Sequence, residues 1–147
     1  MRTQTIILTI LALVVILTIA ALAGPARADT LASFHTPSEN IHCLAATGED
    51  GASIDCEILE KASTRPLNPR PPDCDLEWGN RFELGETGKG TLACTGDTVR
   101  DPSGITLGYD TSFTANSITC TSTQRGLTCL NSEGHGFFLS RARQQVF

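Results

Sequence analysis

Beyond residue 28, this 147-residue chain lacks the patterns from which a cofactor site or an active site is read. No window there carries a helical stripe. The best candidate, Glu57 to Ala62, is six residues long and too short to stand alone as a helix. No C-x-x-C occurs, and the six cysteines are spread evenly, which argues against a zinc site of the usual ligand spacing. There is no Gly-x-Ser-x-Gly elbow to present a nucleophile and no cofactor fingerprint. Aromatic residues are scarce, at six Phe, one Trp and one Tyr, so the core must be small and aliphatic and needs covalent help. Positive charge is short as well. Without Arg2 and Arg27, nine basic residues face sixteen acidic ones, a net −7 with no basic stripe. That balance speaks against nucleic acid and against an anionic membrane surface, and it favours solubility.

The first 28 residues are of another kind. Met1-Arg2 is followed by an almost wholly apolar run of eighteen residues, Ile6 to Ala23, that Gly24-Pro25 ends. Ala26-Arg27-Ala28 then offers small residues at the −3 and −1 positions of a cleavage site. These are the parts of a secretory signal peptide, cleaved after Ala28 to leave a single domain over 29–147. The rival reading is an uncleaved anchor, since eighteen residues is near the lower limit for a span. No cysteine stands at the exit of the run to take a lipid. Either way the remainder is expected in the periplasm or secreted.

What is abundant is cysteine, in a repeated local pattern: Ile41-His42-Cys43, Ile54-Asp55-Cys56, Ile118-Thr119-Cys120 and Leu127-Thr128-Cys129. An even count in an exported chain reads as structural disulfides. Residues two apart on a strand share a face, so each cysteine points with its apolar neighbour. A polar turn, Thr47 to Gly51, separates the first two segments, and Thr123 to Gly126 separates the later two. Two hairpins follow, bridged Cys43–Cys56 and Cys120–Cys129, and Cys74–Cys94 is left by elimination. Phe34 lies seven residues before Ile41 and Phe113 five before Ile118, a loose internal echo.

The expected strands are Asn40–Ala45, Ser53–Leu59, Arg81–Leu84, Thr91–Thr95, Gly104–Leu107, Ser117–Ser122, Gly126–Leu130 and Phe137–Arg141. Short strands with Gly, Pro, Asn or Asp in nearly every gap predict an all-β fold, a small disulfide-stapled antiparallel sandwich or barrel. Arg65 to Pro72 holds four prolines and must be an extended connection outside the sheets.

Each candidate site has a plainer reading beside it. Thr36-Pro37-Ser38-Glu39 imitates a capping box, but strand follows, so a Pro-Ser turn held by Thr36, Ser38 or Asn40 is expected. His35, His42 and His135 lack metal-ligand spacing; strand alternation turns His42 away from Cys43, hence outward to the surface. Gly134-His135-Gly136, beside Ser132 and Glu133, invites a catalytic histidine, yet a triad is assembled from distant segments and tight glycines mark a turn or bulge. Glu49-Asp50, or Asp97 with Asp101, do not match a twelve-residue calcium loop and read as solvated turn acids. Trp78 is either a recognition anchor or a core residue on the Cys74–Cys94 bridge. No catalytic, metal or cofactor residue is assigned; Trp78 and His135 remain as possible ligand contacts.

The ordered set Phe34-His35-Thr36-Pro37-Ser38-Glu39-Asn40-Ile41-His42-Cys43, Cys56-Glu57-Ile58, Cys74-Asp75-Leu76-Glu77-Trp78-Gly79, Cys94-Thr95-Gly96-Asp97-Thr98 and Gly134-His135-Gly136-Phe137 resembles a family of small exported bacterial proteins catalogued as a domain of unknown function. Its pattern runs F-x-[ST]-P-S-x-N-I-x-C near the start and N-x-x-G-x-G-F near the end. Members carry Tyr-Gly after a leucine, whereas here Leu107-Gly108-Tyr109-Asp110 shifts that element, so Tyr109 receives no weight. The resemblance implies a bacterial envelope or secreted protein and brings no catalytic residue with it. The expectation is a non-enzymatic binding module for a protein or a cell-wall component. A small hydrolase using His135 with a remote acid, or a purely structural envelope component, are the alternatives.

Overall fold

The computed structural model describes residues 29–147; the expected leader and its cleavage site lie outside the described residues. Two sheets face each other. The first is built from β1 (Thr30–His35), β2 (Ile41–Gly48), β3 (Gly51–Ile58), β4 (Glu77–Gly85), β5 (Thr91–Thr95) and β6 (Ile105–Thr106), ordered β5-β4-β3-β2-β1-β6. The second contains β7 (Thr111–Ala115), β8 (Ile118–Thr123), β9 (Gly126–Leu130), β10 (Gly136–Leu139) and β11 (Gln144–Val146), ordered β11-β10-β9-β8-β7. All pairings are antiparallel except the two-residue β6, which runs parallel to β1. The fold is an all-β sandwich, as the spacing of turns implies.

The sequence pattern explains the layers. In β3, Ala52, Ile54, Cys56 and Ile58 are buried while Ser53, Asp55 and Glu57 turn away, a period of two. Cys43 stands opposite Cys56 and Cys120 opposite Cys129, with Cα separations of 4.1 and 4.0 Å. That is the spacing of close, non-hydrogen-bonded antiparallel pairs. Both bridges are fully buried, and Cys74–Cys94 completes the set. Such bridges form and persist in an oxidising compartment, and among the described residues no helix is long and apolar enough to cross a membrane.

The echo in the sequence becomes a correspondence between the sheets. In the first, register aligns Phe34, Cys43, Cys56 and Phe82 in one row across β1 to β4. In the second, Phe113, Cys120, Cys129 and Phe137 form the same row across β7 to β10. The rows lie face to face: Phe34 stacks on Phe113 at 4.6 Å and Phe82 meets Phe137 at 6.0 Å between ring centroids. Each five-stranded meander, β1–β5 and β7–β11, therefore contributes half of one core. Burying a Phe, as at Phe82 or Phe137, stabilises by about 1.5–3 kcal/mol, so this row carries much of the fold. Strands of equal rank stack in opposite directions, because the β1–β2 turn and the β8–β9 turn lie at the same end. The halves are thus related by an approximate twofold axis along the row.

Three strands were not expected: β1, β7 and β11. β7 reads as polar because only Phe113 and Ala115 turn inward on an edge strand. β1 spends its most apolar residue, Leu31, on solvent, and β11 is three residues long. The strand expected over Phe137–Arg141 stops at Leu139, where Ser140 N–H donates to Arg143 O in a tight turn.

His35 and His42 require a correction. His42 does face away from Cys43, but it is 1% exposed, and His35 is buried beside it with ring centroids 5.3 Å apart. The outer face of the first sheet has a roof, the connection 96–104. Glu57 accepts hydrogen bonds from Thr98 Oγ1 and from Val99 N–H, and Val99 is buried. Beneath it His35, His42, Glu57 and Arg81 form a polar row across four strands. Arg81 forks onto both carboxylate oxygens of Asp55, which raises its pKa further, and it also donates to Asp97 O at 2.9 Å. Strand alternation gives the face of a side chain and not what covers that face.

A candidate binding cleft at one end of the sandwich

The His42 ring reaches along the outer face to the β1–β2 turn, where Nε2 donates to Glu39 O at 3.0 Å. That turn is held as its residue types imply: Thr36 N–H donates to Ile41 O, Glu39 N–H to Thr36 O, and Ile41 N–H to Thr36 Oγ1. Asn40 spans to the end of β3. Its amide donates to Glu60 O at 3.0 Å and accepts from Glu60 N–H at 2.8 Å, fixing the backbone from which the Glu60 side chain extends. Glu60 then pairs with Arg141 of the β10–β11 turn at 2.6 Å, and Ala62 N–H donates to Arg141 O. The two sheets are laced together at this end, and a cleft of about 350 Å³ opens between them.

Its walls come from the β1–β2 turn (Ser38, Glu39), the β8–β9 turn (Gln124, Arg125), Leu59 and Tyr109. Tyr109 and Leu59 are 41% and 37% exposed, apolar surface left uncovered at the mouth. A second groove of about 480 Å³ adjoins it, sharing Leu59, Glu60 and Arg141 and continuing to Lys61 and Trp78. Lys61 donates to Gly79 O at 2.7 Å, and its partial burial lowers its pKa. Trp78 packs against the core edge, opposite Cys94, with its indole N–H on Asn68 O of the proline-rich connection. It is half-buried at the edge of the core and also a wall of the groove.

His135 stands at the opposite end. Asn131 organises that turn: its Oδ1 accepts from Glu133 N–H and His135 N–H, and its Nδ2 donates to Gly85 O and Gly88 O of the β4–β5 turn. Glu133 caps Gly88 N–H at 2.7 Å. A Cβ on Gly136 would collide with Cys129 O, so the glycine there admits close backbone contact. The structure therefore does not bring Trp78 and His135 together. Glu49-Asp50 lies at the same far end, in the β2–β3 turn, and Asp97 and Asp101 lie in the roof. Among the described residues, no group of three or more His, Cys, Asp or Glu side chains could hold a metal ion.

Sequence reasoning passed over Tyr109, Leu59, Glu39, Glu60, Arg125 and Arg141. The signal that reaches them is the unequal length of matching connections in the two halves. Five residues join β1 to β2 against two joining β7 to β8, and eighteen join β3 to β4 against five joining β9 to β10. Both longer connections belong to the cleft end.

Fold and cleft together define a disulfide-bridged β-sandwich with a polar, aromatic-edged cleft framed by its end loops. The chain belongs to a family of unknown function, DUF6636, which it matches over residues 9–147. No curated protein and no solved structure matches it significantly.

Proposed function

We propose that this is an exported, non-enzymatic binding module of the bacterial envelope or exterior, and that its ligand lies in the end cleft. The observation that carries the reading is internal. The second half of the chain builds the same meander with short turns, so it measures what the fold alone requires. The extra length of the first half is concentrated where the cleft opens, and loops on a rigid scaffold are where binding residues concentrate. Left-handed backbone adds support: Glu39 lines the cleft at φ 53° and Asp110 follows Tyr109 at φ 62°, conformations that cost energy in non-glycine residues. The volume falls within the range of ligand pockets.

The test is a thermal-shift screen of the oxidised protein against cell-wall sugars, peptides and divalent metals. A cleft ligand at 100 times its Kd should add about 2.7 kcal/mol of stability. That gain should vanish in Tyr109→Ala and persist in His135→Ala. A ligand whose effect survives both Tyr109→Ala and Arg125→Ala binds elsewhere and overturns the reading.

A further inference from the structure

We infer that the cleft takes an oligosaccharide bearing carboxylate groups, laid from Tyr109 across Leu59 toward Trp78, with one carboxylate displacing Glu60 from Arg141. This deepens the proposed function and rests on the cleft being the binding site. Three observations lead to it.

The first is what the cleft offers for hydrogen bonding. Its backbone groups are largely spent. Thr36, Glu39, Leu59 and Ser140 donate their N–H groups to backbone carbonyls, Glu60 is held on both sides by Asn40, and Arg125 N–H is held by Thr123 Oγ1. An extended peptide needs main-chain rungs, which a sheet edge supplies and these turns do not. Side chains remain: Glu39, Gln124, Arg125 and Tyr109 have no side-chain hydrogen-bond partner among the described residues. Mixed donors and acceptors around an exposed aromatic face suit a polyhydroxylated ring, whose C–H face packs on Tyr109 as its hydroxyls meet the side chains.

The second is charge. The domain is acidic, yet the cleft lining is balanced, with Arg125 and Arg141 against Glu39 and Glu60, and Lys61 adds a cation in the adjoining groove. The matching turn at the far end, Glu49-Asp50, is acidic where the cleft has Gln124-Arg125. A guanidinium recognises a carboxylate through two parallel hydrogen bonds.

The third is the Glu60–Arg141 bar. It separates two grooves that share their lining, and both partners are highly exposed. An exposed ion pair of this kind contributes little and is readily exchanged. Opening it would make the two grooves, which share Leu59, Glu60 and Arg141, one continuous channel.

The probes are a six-unit oligogalacturonate, its methyl ester and hexaglutamate, titrated into the oxidised protein with Trp fluorescence and amide chemical shifts as readouts. The oligogalacturonate should shift amides on both sides of Leu59 and weaken as salt rises. Methyl esterification or Arg141→Ala should weaken binding about tenfold, a change of about 1.4 kcal/mol, with Arg141→Lys intermediate. Glu60→Gln, which frees Arg141, should tighten it. Both positions are exposed, so these variants keep the fold. Equal binding of the ester, or weaker binding in Glu60→Gln, overturns the carboxylate exchange. If hexaglutamate shifts the cleft amides and no glycan does, the ligand class fails while the cleft stands. Shifts confined to residues outside both grooves overturn the ligand class and the cleft together.

Discussion

Glu39 shows how a single residue can set stability against use. Its counterpart in the second half is Asn116, two residues before Ile118 as Glu39 is two before Ile41, and both adopt left-handed backbone, at φ 48° and 53°. Asparagine tolerates that conformation better than glutamate does. Glu39→Asn should therefore stabilise the fold by about 0.5–1 kcal/mol in urea denaturation, while weakening whatever binds in the cleft. Unchanged stability would mean that the turn bears no strain. Asp101, in the roof, accepts from Ser103 N–H at 2.9 Å and Ser103 Oγ at 2.6 Å, and these bonds lower its pKa. A depressed carboxylate contributes stability that is complete above its unfolded pKa, about 3.9, and is lost as pH falls through the folded value. The protection of the Val99 amide, its exchange rate relative to the intrinsic rate at each pH, should therefore fall as pH drops below about 3.9 in the wild type and be less acid-sensitive in Asp101→Asn.

At the scale of elements, the three bridges differ in access. Cys43–Cys56 and Cys120–Cys129 are sealed between the sheets, whereas Cys94 is exposed on the edge strand β5. Exchange with a thiol depends on reach, so mild reductant should open Cys74–Cys94 first, as thiol labelling and mass spectrometry would show. Simultaneous labelling of all six cysteines would contradict the burial. The loops can be tested by transplantation. Replacing residues 36–40 with the Asn-Ser of the β7–β8 turn should leave a folded sandwich that has lost its ligand, readable by circular dichroism and the same thermal-shift screen. Loss of the fold instead would show that the longer turn is structural.

Much of this was legible at the same scale. Alternation beside Cys43, Cys56, Cys120 and Cys129 sufficed for two hairpins and their bridges, because a period of two and a polar turn leave few registers open. Thr91–Thr95 and Gly126–Leu130 were read to the residue. The edge strands β7 and β11 were not, since an edge buries one or two side chains and carries almost no periodic signal. The cleft was harder still. Leu59, Tyr109, Arg125 and Arg141 come from four separate connections, and no local pattern links residues that only the packing of two sheets brings together.

As a whole, the molecule divides its labour along its long direction. At the far end the β4–β5 and β9–β10 turns are drawn tight by Asn131, Glu133 and the close approach of Gly136 to the β9 backbone. The near end leaves side chains free around a cleft, and between them runs the double row of phenylalanines and cystines. The bridging has a mechanical result. The segments enclosed by the bridged cysteines, 13, 20 and 9 positions apart, cannot lengthen when the chain is pulled from its ends. At about 3.3–3.6 Å per extended residue, that withholds a large part of the contour the sequence would otherwise yield. A tether that loaded this domain would find a short string that gives up its slack in stages, the Cys74–Cys94 segment to a mild reductant and the other two only after a reductant has reached the core.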